Sequence, residues 1–140
     1  MSFREKIAWV AFLSTVIAWG GYFAVVVHAS INGADGGLWL LWLFIGVTIA
    51  QAVVLGVATA VAAILDPADA QAARDERDFA VGRRASGIAY GTLVAGLIAV
   101  IAALHVGLHG RGTIFALLGL FMLGEATRYG AQAIGYRRTA

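Results

Sequence analysis

Glu125 and Arg128 stand three residues apart in GLFMLGEATRYGAQAIGYRR, residues 119–138, a segment whose first half reads as membrane interior. An ionised side chain at the bilayer centre costs roughly 2.5 to 3.5 kcal/mol on insertion scales, so this acid and base must face protein or water. Two chemistries fit. Glu125 can carry a proton or ion along a path between helices, or Glu125 and Arg128 can join other polar side chains in interhelical bonds. A base so close to the acid weighs against the carrier. On a helix Gln132 and Tyr136 fall near whole turns from Glu125, with Tyr129 beside them. Arg128 lies about 60° around the axis, able to pair with Glu125 or to snorkel outward.

Counting rise along each apolar run extends this into a layer. Glu125 lies about 18 Å from Thr113, and Gln51 about 20 Å from Leu38. Ser14, Thr15 and Thr92 reach similar heights from the opposite side, so each run supplies a polar group at one level: Glu125, Arg128, Gln132, Gln51, Ser14, Thr15 and Thr92.

Histidines offer a second chemistry. His105 and His109 are four apart, and His28 ends the first apolar run at a similar height, with Asp35 in the adjoining loop. Such a rim can ligate a transition metal, or His28 and His105 can bracket a haem. Amphipathic helix ends explain the same spacing without any ligand. No nucleophile and base form a catalytic motif, and no glycine-rich phosphate loop follows a strand, so no enzyme activity is expected.

The elements that position these groups follow from composition. The 140 residues are 61% hydrophobic and 13% charged, against about half and a quarter in soluble domains, which places the chain in a membrane. One proline and no cysteine exclude a disulfide scaffold and a thiolate metal site. The pI near 9.4 accompanies a net charge of only +2, too little to predict nucleic-acid binding.

Four apolar runs are expected to span: 7–29, 38–65, 85–108 and 112–136. The last crosses only if Glu125 and Arg128 lie within it. The first is too long for the apolar region of a signal peptide. Arg4 and Lys6, then Arg74, Arg77, Arg83 and Arg84, then Arg137 and Arg138 mark one side, whereas the two short loops contain Arg111 alone. The positive-inside rule therefore predicts cytoplasmic ends and a cytoplasmic middle loop, 66–84. Trp39, Trp42 and Tyr22 suit an outer aromatic belt, and Trp9 and Tyr136 an inner one. The predicted fold is an all-α, up-down-up-down four-helix membrane bundle in one domain. Gly87 and Gly91, and Ala52, Gly56 and Ala60, are read as helix-packing stripes.

Within DPADAQAARDERDFAVGRR, residues 66–84, Asp66 before Pro67 predicts a helix start that can run on into the third span. Arg74, Asp75, Glu76, Arg77 and Asp78 alternate in sign as a solvated stem does, with Arg74 and Asp78 spaced to pair; the functional alternative is a docking surface for a cytoplasmic protein. The interleaved arginines disfavour a divalent cation.

REKIAW, ARDERDFAVGRRASGIAYG and GEATRYGAQAIGYRR together resemble a family of small four-helix bacterial inner-membrane proteins of unassigned function. In that family an acidic-basic loop leads into the third helix and a Tyr-Arg pair closes the chain. The resemblance implies an integral four-helix protein of the bacterial inner membrane and implies no reaction. The expected role is a non-enzymatic accessory or regulatory subunit working through lipid and protein partners. Its alternatives are a small oligomeric transporter or channel with Glu125 in the path, and metal or haem binding through His28, His105 and His109.

Overall fold

A computed structural model describes residues 2–33, 37–73 and 75–138. Five helices occupy nearly all of them: α1 (Phe3–Ile31), α2 (Leu38–Leu65), α3 (Pro67–Gln71), α4 (Glu76–His105) and α5 (Arg111–Arg138). Among the described residues there is no strand. The chain divides into two compact units, Ser2–Gln71 and the part from Ala72 onward.

In the first unit α1 packs against α2, and α3 touches both. Ser2 caps α1 by accepting from the Glu5 amide at 3.2 Å, and Asp69 of α3 accepts from the Phe3 amide. Both acceptors satisfy amides left unpaired at a helix start, and Asp69 places its charge at the positive end of the dipole. Gly33, at φ 64°, ends α1 in a left-handed conformation that favours glycine. Asp66 stops α2, because the residue before a proline is pushed out of the helical region; its carboxylate then accepts from the Asp69 amide at 3.3 Å. Pro67 begins α3 as expected.

The second unit is an antiparallel hairpin of α4 and α5. The expected continuous helix from Pro67 into the third span is interrupted after Gln71, and α4 restarts at Glu76. A capping box causes the restart: Asp75 accepts from the Asp78 amide at 2.8 Å, and Asp78 accepts from the Asp75 amide at 3.2 Å. Much of the expected middle loop is thus the first turns of α4. The short 106–110 connection reverses direction through Gly107 and Gly110, at φ 111° and 59°.

Leu120 lies over Gly96, Leu93 over Gly124 and Val81 over Gly135, so glycines let side chains of the opposite helix come close; a β-carbon at Gly124 would sit 2.7 Å from a Leu93 methyl. These are the seam glycines. Among the described residues, a β-carbon added at Gly87, Gly91 or Gly56, expected to pack helices, would meet no atom within 4 Å beyond its own helix backbone, and Ala52 and Ala60 are exposed. Small-residue spacing recurs by chance in spans this rich in glycine and alanine, whereas the seam is set by which face carries Val81 and Leu93.

Among the described residues three helices, α1, α2 and α4, are long and apolar enough to cross a membrane. Only 6% of the apolar window of α2 and of α4 is buried, leaving faces such as Val57, Ile64 and Ile98 open. Apolar surface on this scale requires lipid or further helices to cover it. α5 is as long as α2 but is not among the three, since Glu125 and Arg128 dilute its apolar run.

Candidate functional site

The polar side chains expected in one layer divide between the two units. In the first, Thr15 and Trp19 project from one stripe of α1, which also buries Ala8, Ala11, Tyr22 and Val26 at three- and four-residue spacing. Gln51 enters from α2. The Trp19 indole donates to Gln51 Oε1, and Gln51 Nε2 donates to Thr15 Oγ1 at 2.7 Å. This is an interhelical relay with Gln51 as both donor and acceptor. Phe44 of α2 packs against the Trp19 and Tyr22 rings, with centroids 5.5 and 6.1 Å away. Ser14 takes no part: its hydroxyl donates to the Ala11 carbonyl at 3.1 Å.

In the second unit, Arg128 Nη2 donates to Glu125 Oε2 at 2.7 Å and to the Tyr129 hydroxyl at 3.0 Å, while its guanidinium carbon lies 4.7 Å from the Tyr129 ring centroid. The acid and base therefore neutralise each other along α5 itself. Their side chains are 31% and 36% exposed, and among the described residues the buried Arg128 Nε has no hydrogen-bond partner. The seam register sets Thr92 level with Glu125, as the height count requires. Its hydroxyl nevertheless donates to Ile88 O at 3.1 Å, a back-bond within α4. Gln132 is half-buried.

The segment around Asp75 acts first as helix architecture. Asp75 and Asp78 close the capping box, Glu76 is exposed, and Arg77 Nη2 donates to the Tyr136 carbonyl at 2.9 Å. Arg74, and with it the expected pairing to Asp78, lies outside the described residues, as does Asp35.

Two of the histidines are held locally. The His28 ring lies 3.3 Å from the side-chain Nδ2 of Asn32, one turn on, and His105 donates through Nδ1 to the Ile101 carbonyl at 2.9 Å. His28 belongs to the first unit, His105 and His109 to the second. Among the described residues no three histidine or carboxylate side chains are grouped to hold a metal ion.

Sequence reasoning missed Trp19, whose partner is Gln51. The signal was present: an indole N–H in mid-span must find an acceptor, and Gln51 is the polar group of α2 near its height. It also missed Glu5, buried at 5% exposure in the first turn of α1, where an acid is favoured by the helix dipole. The Arg77 bond has no sequence signal, since its acceptor is a backbone carbonyl 59 residues away.

Comparison of the chain with family models, with curated proteins and with solved structures returned no match.

Proposed function

We propose that this chain is a four-helix integral protein of the bacterial inner membrane, with both ends cytoplasmic, acting as a non-enzymatic accessory subunit of a membrane partner. The observation that carries this reading is the Glu125–Arg128 pair. A proton or ion carrier needs a carboxylate free to change its partner, and here the guanidinium of the same helix occupies Glu125 at 2.7 Å. The sparsely buried faces of α2 and α4 supply lateral surface for association. The family resemblance and the arginine distribution support the location and orientation.

Proteoliposome flux tests the reading. The expected result is proton and alkali-cation flux no greater than that of empty liposomes, for the wild type and Glu125→Gln alike. Flux that the wild type supports and Glu125→Gln abolishes, with helix content preserved, would establish the oligomeric transporter instead. In-membrane photo-crosslinking from position 57 or 98 should then give a heterologous adduct of one size; an adduct of two copies of this chain alone would count against the accessory role. Because the chain lacks cysteine, Ser2→Cys and Gly33→Cys can be labelled without background. Ser2→Cys should react from the cytoplasm and Gly33→Cys from outside.

A further inference from the structure

The start of α4 and the end of α5 lie together, joined by the Arg77 bond to the Tyr136 carbonyl and by Val81 over Gly135. This brings Arg83, Arg84, Arg137 and Arg138 to one end of the hairpin. All four are exposed, and among the described residues none makes an ion pair or side-chain hydrogen bond. The nearby acids do not pair with them: Asp75 and Asp78 accept within the capping box, and Glu76 is exposed. The other end of the hairpin has Arg111 alone.

The seam register sets Arg83 and Arg84 level with residues 133–134, and Arg137 and Arg138 lie about one turn farther out. The four therefore span about 7.5 Å along the helix axes. That lies at the upper end of the headgroup layer, about 5 to 7.5 Å per leaflet. Just inward the surface is apolar, with Ile88, Tyr90 and Val94 exposed. Four unpaired guanidinium groups at the edge of an apolar surface call for an anion, and their planar donor forks match phosphate oxygens.

We infer that Arg83, Arg84, Arg137 and Arg138 form a collar that binds anionic phospholipid headgroups through their phosphates in preference to zwitterionic ones. The inference rests on the membrane-spanning reading above. An acidic segment of a partner protein has complementary charge too, but the thickness and height of the collar favour a lipid layer.

The test reconstitutes the full chain in phosphatidylcholine vesicles carrying a trace of spin-labelled phosphatidylglycerol or phosphatidylcholine and compares the motionally restricted fractions. The wild type should prefer phosphatidylglycerol about five-fold, the equivalent of one effective arginine contact. The preference should shrink toward parity in about 1 M salt, where the screening length is about 3 Å. It should also be lost when all four arginines are changed to glutamine, and kept in Arg111→Gln. Should the quadruple variant not insert, Arg83→Gln with Arg137→Gln is the second variant, expected to lose at least half of the preference.

Equal association of both labels with the wild type overturns the collar, as does an undiminished preference in an inserted variant. A preference abolished by inorganic phosphate at constant ionic strength would reassign the site to free phosphate. Phosphatidylglycerol selectivity appearing only with a co-purified protein present would reassign the arginines to that partner. If neither label shows a restricted fraction, the spanning reading itself fails, and the collar with it.

Discussion

Arg77, in the first turn of α4, donates to the backbone carbonyl of Tyr136 near the end of α5, at 2.9 Å. The last four carbonyls of a helix have no partner within it, and the negative end of its dipole attracts a cation. One side chain therefore satisfies a helix end and closes the second hairpin.

Arg77→Gln should loosen that closure by about 0.3 to 1 kcal/mol, the usual value of a charge at a helix end. Amide hydrogen exchange over 134–138 should accelerate several-fold while the 120–126 region is unchanged. Equal acceleration along the whole of α5 would show that the bond carries no local stability.

Gln51 links Trp19 to Thr15, so Gln51→Leu leaves an indole donor and a hydroxyl without their interhelical partner. Polar contacts in membranes average about 0.6 kcal/mol, which for two bonds gives a loss of about 1 kcal/mol. Mild-detergent unfolding should detect it. In a double-mutant cycle with Trp19→Phe the losses should be less than additive, because the two residues share a bond. Full additivity would mean the bond contributes nothing.

The glycines of the second hairpin should separate by position. Gly124→Val forces a side chain against Leu93 and should cost about 1 to 3 kcal/mol by overpacking. Gly91→Ala meets open space and should be neutral or stabilising by up to about 1 kcal/mol through helix propensity. Unfolding measurements on the two variants decide the matter. A Gly91→Ala variant as damaged as Gly124→Val would place a packing partner against Gly91.

Glu125→Leu or Arg128→Leu alone should destabilise the protein more than the two together. Each single change strands a charge, whereas the double change removes both. With the pair about one-third exposed, single losses of roughly 1 to 2 kcal/mol are expected, with the double variant near wild type. Two single variants whose losses simply sum in the double would show that the charges do not compensate each other.

The amino-acid sequence by itself determined that the chain is helical and where most helices lie. Uninterrupted apolar runs leave no alternative to a helix of spanning length for α1 and α2. Asp66–Pro67 stops α2 through a steric rule confined to neighbouring residues. The Glu125–Arg128 pairing was legible because three-residue spacing on a helix brings side chains together without any second element. Gln51 was likewise legible as a polar side chain midway along α2, since rise per residue is constant.

Tertiary structure decided how those groups are satisfied. Gln51 bonds Trp19 and Thr15 because α1 turns its buried stripe toward α2. Ser14 and Thr92, at suitable heights, return their hydroxyls to their own helices. The seam glycines are Gly96, Gly124 and Gly135 rather than the Gly87–Gly91 motif, since spacing identifies a possible close approach but not the face a neighbouring helix occupies. Heights come from a one-dimensional count along the helix axis. Facing direction depends on the helix packed alongside, and residues far apart in the chain specify it jointly.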